Sequence, residues 1–356
     1  MRGTKLKKDT SFEEAVSFEN LMEAARLCQK GVTWKASVQM FEINKLRWVA
    51  YMHKDLINGT YKGKGFNEFW ICERGKMRFI QSVHISERTV QKSISNNALK
   101  PAVIPALIYD NSASIQNKGT EFALNRLRCH LQRHYRKHGR KGGVLTLDFK
   151  NYFGSIDHEK LKKLMRTKIA DKRTCGILEQ FIDDFQGDKG LGLGSEISQT
   201  CAIAYPNEID HFIKSKLKVK GYGRYMDDSY LIHEDIEYLK HCLEEIKARC
   251  KELDITLNEK RVRISRLDRE NMVYLKKRIM LTETGKVVIR LSRDKITAQR
   301  RKLRKQKARL DAGTLSMDVI WQSYQSWRGH AMKYDSYRTV QSMDALYAEL
   351  FKGGGK

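Results

Sequence analysis

The sequence predicts an α+β chain on three observations. Strand-like runs come as neighbouring pairs at 69–80 and around 227–228. A short apolar strand stands by itself at 144–149. Helical patterns fill both ends and most of the spaces between. In chain order, residues 1–45 are polar and helix-prone, with Phe18, Leu21, Met22, Ala25 and Cys28 at helical spacing. Phe69-Trp70-Ile71-Cys72 and Met77-Arg78-Phe79-Ile80 read as two strands paired around Glu73-Arg74-Gly75-Lys76. A basic helix follows Gly119-Thr120, carrying Phe122, Leu124, Leu127 and Leu131. Gly142-Gly143 introduces the apolar strand Val144-Leu145-Thr146-Leu147-Asp148-Phe149, and Asp157 suits the N-cap of a helix running from His158 to about Ile169. A glycine-rich stretch at 187–195 leads into a largely helical segment from Ile197 to Lys216. An amphipathic helix is expected from about Asp235 to Leu253, and the C-terminal 70 residues read as basic and helical. Pro101, Pro105 and Pro206 mark no linker, and there is no internal repeat.

Composition narrows the partners. With 41% apolar and 9% aromatic residues the 356-residue chain can bury a real core, arranged as two or three lobes. The 68 Lys and Arg against 42 Asp and Glu give a formal charge of +26. A surplus of that size asks for a polyanion, and nucleic acid is favoured over an acidic membrane face. Seven scattered cysteines include no Cys-x-x-Cys pair, and His241, Cys242 and Cys250 lack zinc-ligand spacing. They read as reduced, buried thiols of a cytoplasmic protein. The N-terminus is basic but no apolar segment follows it, and no uninterrupted apolar run approaches eighteen residues, so neither export nor a membrane span is expected.

The most informative feature is Asp227-Asp228. Adjacent aspartates repel one another and are poor strand formers, so a hairpin tip gains little from them unless a cation sits over them. Asp183-Asp184 is an internal control: it lies in a helix-like stretch and reads as a solvated face, so the dipeptide alone says little. Asp227-Asp228 differs in being flanked by Tyr222-Gly223-Arg224-Tyr225-Met226 and Ser229-Tyr230-Leu231-Ile232-His233, a hairpin signature. Strand period sets the two side chains on opposite sides, so one faces a metal more directly than the other. Asp148, at the end of its apolar strand, is a third carboxylate. Three such groups on neighbouring strands suit two Mg²⁺ ions and the chemistry of nucleotidyl transfer, with a solvated turn and an unrelated Asp148 as the bland alternative. Farther on, Arg293 to Arg309 carries nine Lys or Arg in 17 residues around sparse anchors at Ile296, Leu303 and Leu310. Such a helix makes sense against a nucleic-acid backbone, or else as a highly solvated surface helix. Trp321, Tyr324, Trp327 and Tyr334 read as core.

Leu145-Thr146-Leu147-Asp148-Phe149-Lys150-Asn151-Tyr152-Phe153-Gly154-Ser155-Ile156-Asp157 resembles motif A of bacterial reverse transcriptases, and Arg224-Tyr225-Met226-Asp227-Asp228 resembles their motif C. Gly190-Leu191-Gly192-Leu193-Gly194-Ser195-Glu196-Ile197-Ser198-Gln199 resembles motif B, its Ser198-Gln199 ending similar to the form in diversity-generating retroelements, as is Ser326-Trp327-Arg328-Gly329-His330-Ala331. The resemblance covers roughly residues 15 to 350. It implies a right-hand polymerase: an N-terminal helical extension over 1–45, fingers over 46–140 with part of 160–200, a ferredoxin-like palm over 141–282, and a basic helical thumb over 283–356.

The resemblance implies roles as well. Asp148, Asp227 and Asp228 would be catalytic and bind two Mg²⁺, with Mn²⁺ able to substitute. Lys76 and Arg78 would hold the incoming triphosphate, unless they are only a basic hairpin face. Phe149, Phe153 and Gln199 would complete the deoxynucleotide site, Phe153 as the bulky gate against a 2′-hydroxyl. Gly194, Ser198, Tyr225 and Met226 would lie beside template and primer, with Lys260 a motif D lysine able to protonate pyrophosphate. Arg300, Arg301, Lys302, Arg304 and Lys305 would track the duplex. The implied activity is RNA-directed DNA synthesis, error-prone at template adenines, with an RNA template, a DNA or RNA primer and a small basic oligomeric accessory protein as partners. The length is expected to leave no room for endonuclease or RNase H domains. A retron or phage-defence reverse transcriptase and an inactive RNA-binding scaffold are the alternatives. Three departures bear on primer handling and subgroup. Ile115 stands where the family commonly has Arg, Tyr274-Leu275-Lys276-Lys277 replaces a glycine-containing primer-grip turn, and Arg74-Gly75-Lys76-Met77-Arg78 replaces Pro-Lys-Pro-Arg.

Overall fold

The computed structural model describes residues 11–73 and 75–351, with the backbone alone at Glu73 and Lys76. Its strands are β1 (Phe66–Glu73), β2 (Lys76–Val83), β3 (Gly143–Asp148), β4 (Gly221–Tyr225), β5 (Asp228–His233), β6 (Arg263–Arg266), β7 (Met272–Tyr274), β8 (Lys277–Leu281) and β9 (Val287–Leu291). They form a two-stranded hairpin β1-β2, a four-stranded sheet ordered β4-β5-β3-β6, and a three-stranded meander β7-β8-β9. Every strand pairing is antiparallel.

The four-stranded sheet has the βαββαβ connectivity of a ferredoxin-like layer, with β3 and β5 at its centre. Its alternation feeds two cores. Leu145 and Leu147 of β3 and Leu231 of β5 point into one, with Leu239, Cys242 and Ile246 of the helix Ile236–Glu252. Val144, Tyr230 and Ile232 point into the other, against Leu124, Leu127 and Leu131 of the helix Thr120–His138 and against the meander. A slip of one residue would turn every side chain toward the opposite core, so burial on both faces locks the pairing. A third core closes the C-terminal helices, where Leu303 meets Ile320, Tyr324, Met343 and Tyr347.

Most expected elements appear within a residue or two. Asp157 caps the helix His158–Lys168 by accepting from the Lys160 N–H at 2.9 Å. The expected single helix from Ile197 to Lys216 is two, Glu196–Ala204 and Asn207–Ser215, because Pro206 has no N–H to continue the first. Asp183-Asp184 is not simply solvated. Asp183 meets Lys162 at 2.5 Å, while Asp184 is half-buried and its carboxyl is pushed up by burial and by Asp183. Trp321 is largely exposed rather than core, whereas Tyr324 is buried. Five of the seven cysteines are buried, but Cys72 is exposed on β1 and Cys129 is half-buried. No helix among the described residues is long and apolar enough to cross a membrane.

His130 links the helix Thr120–His138 to the central sheet, its Nδ1 lying 3.0 Å from the Tyr230 hydroxyl. Burial pushes its imidazole down to about 4; Asp110 pulls the other way, and Lys214 and Arg126 add to the fall. The unfolded chain therefore takes up a proton near 6.5 that the folded chain refuses until about 4. Stability from His130 is complete above 6.5 and is lost as pH falls through that window. Between about pH 7.5 and 5 the loss is about 2 kcal/mol. Urea titrations at the two pH values are expected to show this share in the wild type and not in His130→Asn.

Candidate active site

The site is built where β3 ends and β5 begins. Asp148 and Asp228 are direct partners in the β3–β5 ladder, and Tyr225 pairs with Asp228 to close the β4–β5 turn. Met226 in that turn is left-handed, with φ at 57°, which a side chain adopts only when held. The holding group is Arg224. Its guanidinium and the Asp210 carboxylate on the helix Asn207–Ser215 are both completely buried. Arg224 Nε donates to Asp210 Oδ1 at 2.8 Å and Nη2 to Oδ2 at 2.7 Å. Nη1 donates to the Met226 carbonyl at 2.9 Å, and Nη2 to the Ile203 carbonyl at 2.8 Å. The Tyr222 hydroxyl donates to Asp210 at 2.6 Å. Finally, the Phe149 N–H donates to the Asp227 carbonyl at 3.2 Å, tying the turn to the strand that carries Asp148.

The three carboxylates feel one another. Asp228 is pushed up to about 7 by burial, then by the negative charges of Asp227 and Asp148. Asp227 is raised by burial and by Asp148, with Arg261 and Arg78 drawing it down. Asp148 is buried, accepting from Asn258 Nδ2 at 2.8 Å and pairing with Arg261 Nη1 at 2.7 Å. Hard oxygen donors crowded to this degree suit a doubly charged, oxygen-loving cation such as Mg²⁺. Among the described residues no three His, Cys, Asp or Glu side chains are already drawn into one coordination set. The physical reason is local: Asp148 is turned toward Asn258 and Arg261.

Two cavities flank the aspartates. One, of about 780 Å³, is lined by Arg78, Asp148, Phe149, Phe153, Asp227 and Arg261 among others. The second, a cleft of about 1100 Å³ between the sheet and the C-terminal helices, is lined by Tyr225, Asp227, Asp228, Lys277, Lys295 and Lys302 among others.

Several expected site residues therefore gather: Asp148, Asp227, Arg78, Phe149 and Phe153 around the first cavity, and Asp227, Asp228, Tyr225 and Lys302 around the second. Met226 is half-buried against the core beneath the turn. The Lys76 side chain lies outside what is described. Others fall elsewhere. Ser198 is only 1% exposed, its helix turning it into the core, and it lines neither cavity. Gln199 is exposed on the next helical step, but it accepts from the Ser114 hydroxyl at 3.1 Å beside a separate pocket that Gly194 also lines, not in the cavity with Phe153. Lys260 is exposed in its turn and lines neither cavity; the neighbouring Arg261 is the residue that reaches Asp148. Of the basic helix Arg293–Asp311, Lys302 faces the cleft, whereas Arg300, Arg301, Arg304 and Lys305 are exposed on other faces.

Sequence reasoning missed Arg261, Asn258, Lys277 and Lys295, and it took Arg224 for motif alone. The glycine-free turn before β8 is real: Leu275 and Lys276 are both left-handed, at φ 47° and 59°. It brings Lys277 into the cleft, where its Nζ is 2.9 Å from His330 Nε2 and 4.0 Å from the centre of the Tyr334 ring.

The family model described as "Reverse transcriptase (RNA-dependent DNA polymerase)" matches residues 62–303, more than half of the chain. The chain belongs to the reverse transcriptase family. Among solved structures, apo telomerase from Candida tropicalis is similar at 12% identity and a TM-score of 0.53, over 85% of this chain and 62% of that one. The same telomerase truncated from its C-terminal domain is also similar, at 12% identity and a TM-score of 0.47, over 68% and 60%. The fold is thus the right-hand polymerase fold. The chain spans about three fifths of the length of those telomerase chains. Among curated proteins none matches the sequence.

Removing one partner of a buried ion pair strands the other without solvent, at a cost of about 3–5 kcal/mol. Arg224→Met is therefore expected to lower the unfolding free energy read from a denaturant titration by that amount. Arg224→Met with Asp210→Leu should recover part of it in the same titration, because no buried charge is then left unpaired.

Proposed function

We propose that this chain is an RNA-directed DNA polymerase that extends a primer on an RNA template by two-Mg²⁺ nucleotidyl transfer. The observation that carries the reading is the ladder pairing of Asp148 with Asp228, which stands between a cavity that Asp148 and Asp227 line with Arg78, Arg261 and Phe153 and a cleft that Asp227 and Asp228 line. Asp148, Asp227 and Asp228 would hold the ions, whose chemistry is to acidify a primer 3′-hydroxyl and to neutralise the triphosphate. The protein's own residues do the rest. Arg78 on β2 and Arg261 before β6 approach the cavity from different lobes, and each offers the planar donor fork suited to phosphate oxygens. Arg261 releases Asp148 as it turns to the triphosphate. Phe153 packs under the sugar and leaves no room for a 2′-hydroxyl. Lys277, Lys295 and Lys302 carry the backbone of the primer–template duplex through the cleft.

The finer reading is a bacterial or phage diversity-generating retroelement enzyme, cytoplasmic and served by a small basic accessory protein. It is supported by Ser198-Gln199 and by Ser326 to Ala331. Ser198 is buried at the start of the helix Glu196–Ala204, so that motif acts through the placement of the helix and of Gln199 rather than by a serine contact.

Primer extension on an RNA template with Mg²⁺ tests the reading. Asp227→Ala is expected to extend at least about 100-fold more slowly than wild type. Equal rates, or an inactive wild type across metals and primers, would refute it. Arg261→Ala should raise KM for deoxynucleotides about tenfold, one charge-assisted hydrogen bond, with a smaller fall in kcat. Sequenced cDNA should carry substitutions concentrated opposite template adenines; uniform errors, or a fixed branched RNA–DNA product, point instead to the retron or defence type.

A further inference from the structure

Residues 30–64 carry a second cluster that the polymerase site does not use. Three aromatic rings there each have a cation over the face: Lys35 Nζ 5.5 Å from Trp34, Arg47 Cζ 5.5 Å from Tyr51, and Lys64 Nζ 5.0 Å from Trp48. Trp34 is 74% exposed, Trp48 40% and Tyr51 47%. Trp48 and Tyr51 are one turn apart on the helix Lys45–Asn58, edge to face at 6.4 Å, while Val49, Met52 and Leu56 bury the opposite side. The rings are thus not needed by the core. None of the three lines the nucleotide cavity or the palm–thumb cleft.

The surrounding charge is predominantly positive. Between Lys30 and Lys64 the sequence holds seven Lys or Arg against Glu42 and Asp55. Exposed aromatic rings interleaved with cations are the arrangement that binds single-stranded nucleic acid, where bases stack on the rings and the cations take the phosphates. A duplex offers the same phosphates but keeps its bases stacked inside, so the rings select for an unpaired strand.

We propose that Trp48 and Tyr51, with Arg47 and Lys64, form a platform for single-stranded RNA outside the two cavities at the catalytic carboxylates. That the strand is RNA, uncopied template held outside the cleft, rests on the polymerase reading; the stacking surface stands on its own geometry. Exposed Met40, Ile43 and Leu46 nearby are what a protein partner would use instead, and that outcome is part of the test.

The full-length chain is titrated with a fluorescent 20-nucleotide oligo(U), without metal or nucleotides. Trp48→Ala/Tyr51→Ala is expected to weaken binding at least about tenfold. Arg47→Gln/Lys64→Gln should also weaken it and flatten the salt dependence by up to about two phosphate contacts. Oligo(U) should quench tryptophan fluorescence in the wild type and less in Trp48→Phe. Extension of a primer on a template with only a few unpaired nucleotides should be unchanged in both double variants, which shows that they fold. The proposal fails if the aromatic double variant binds oligo(U) as tightly as wild type, or if an equal concentration of RNA duplex displaces the oligo(U). It also fails if the wild type self-associates in sedimentation and the aromatic variant does not. Loss of extension by Asp227→Ala bears on the polymerase reading alone, and loss of oligo(U) by Trp48→Ala/Tyr51→Ala on the platform alone.

Discussion

The buried pair of Arg224 and Asp210 is the constraint on which the active site depends. Bringing two full charges out of water costs several kcal/mol for each ion, recovered only when geometry is close to ideal and every remaining donor is used. Here four of the five guanidinium N–H groups have partners: Arg224 donates to both oxygens of Asp210, to the Met226 carbonyl and to the Ile203 carbonyl. One side chain thereby joins β4, the Asp227 turn and both helices of the 196–215 segment. The turn has no glycine to make its left-handed residue easy. An apolar residue at 224 could fill the space, but it could not hold the Met226 carbonyl in place. The pair therefore fixes a geometry at a cost that a simpler core would not bear.

Above that anchor the charge balance is reversed. Three aspartates share a small, partly buried volume, and Asp228 responds by holding its proton up to about 7. Arg261 offsets some of the crowding by pairing with Asp148, yet it is half exposed and hangs from a turn rather than a strand. A cation fixed as rigidly as Arg224 would compete with any ion for the carboxylates. One on a loose tether is easily released. The site thus combines a buried acid framework with a half-exposed positive group on a turn, which suits a reaction in which polyphosphate enters and pyrophosphate leaves.

How much of this was legible follows from the range of each interaction. Asp148, Asp227 and the hairpin could be read because strand alternation and turn flanks are local, and the pairing of β3 with β5 then puts the carboxylates together. The Arg224–Asp210 pair could not, since Asp210 lies on a helix whose packing angle no local pattern states. Lys260 and Arg261 are adjacent, and only the phase of a turn decides which reaches Asp148. Helix phase decided against Ser198 in the same way: a single step of 100° separates a buried serine from an exposed glutamine. The helical setting of Asp183-Asp184 is local, but a helix end that tucks Asp184 inward and pairs Asp183 with Lys162 is again a tertiary fact.

The distribution of the +26 charge completes the physical picture. If affinity for nucleic acid came mainly from the cleft, the basic helix Arg293–Asp311 would aim most of its cations there. It aims Lys295 and Lys302, and leaves Arg301, Arg304 and Lys305 on other faces. Exposed charges more than about 10 Å from a phosphate are largely screened at moderate salt. At that range a basic surface would serve encounter rather than docking, by drawing a polyanion in. The rings and cations of residues 34–64 differ, because stacking is short-ranged and persists when salt has screened the rest. A chain with both kinds of surface gathers nucleic acid by charge and sorts unpaired from paired strands by contact.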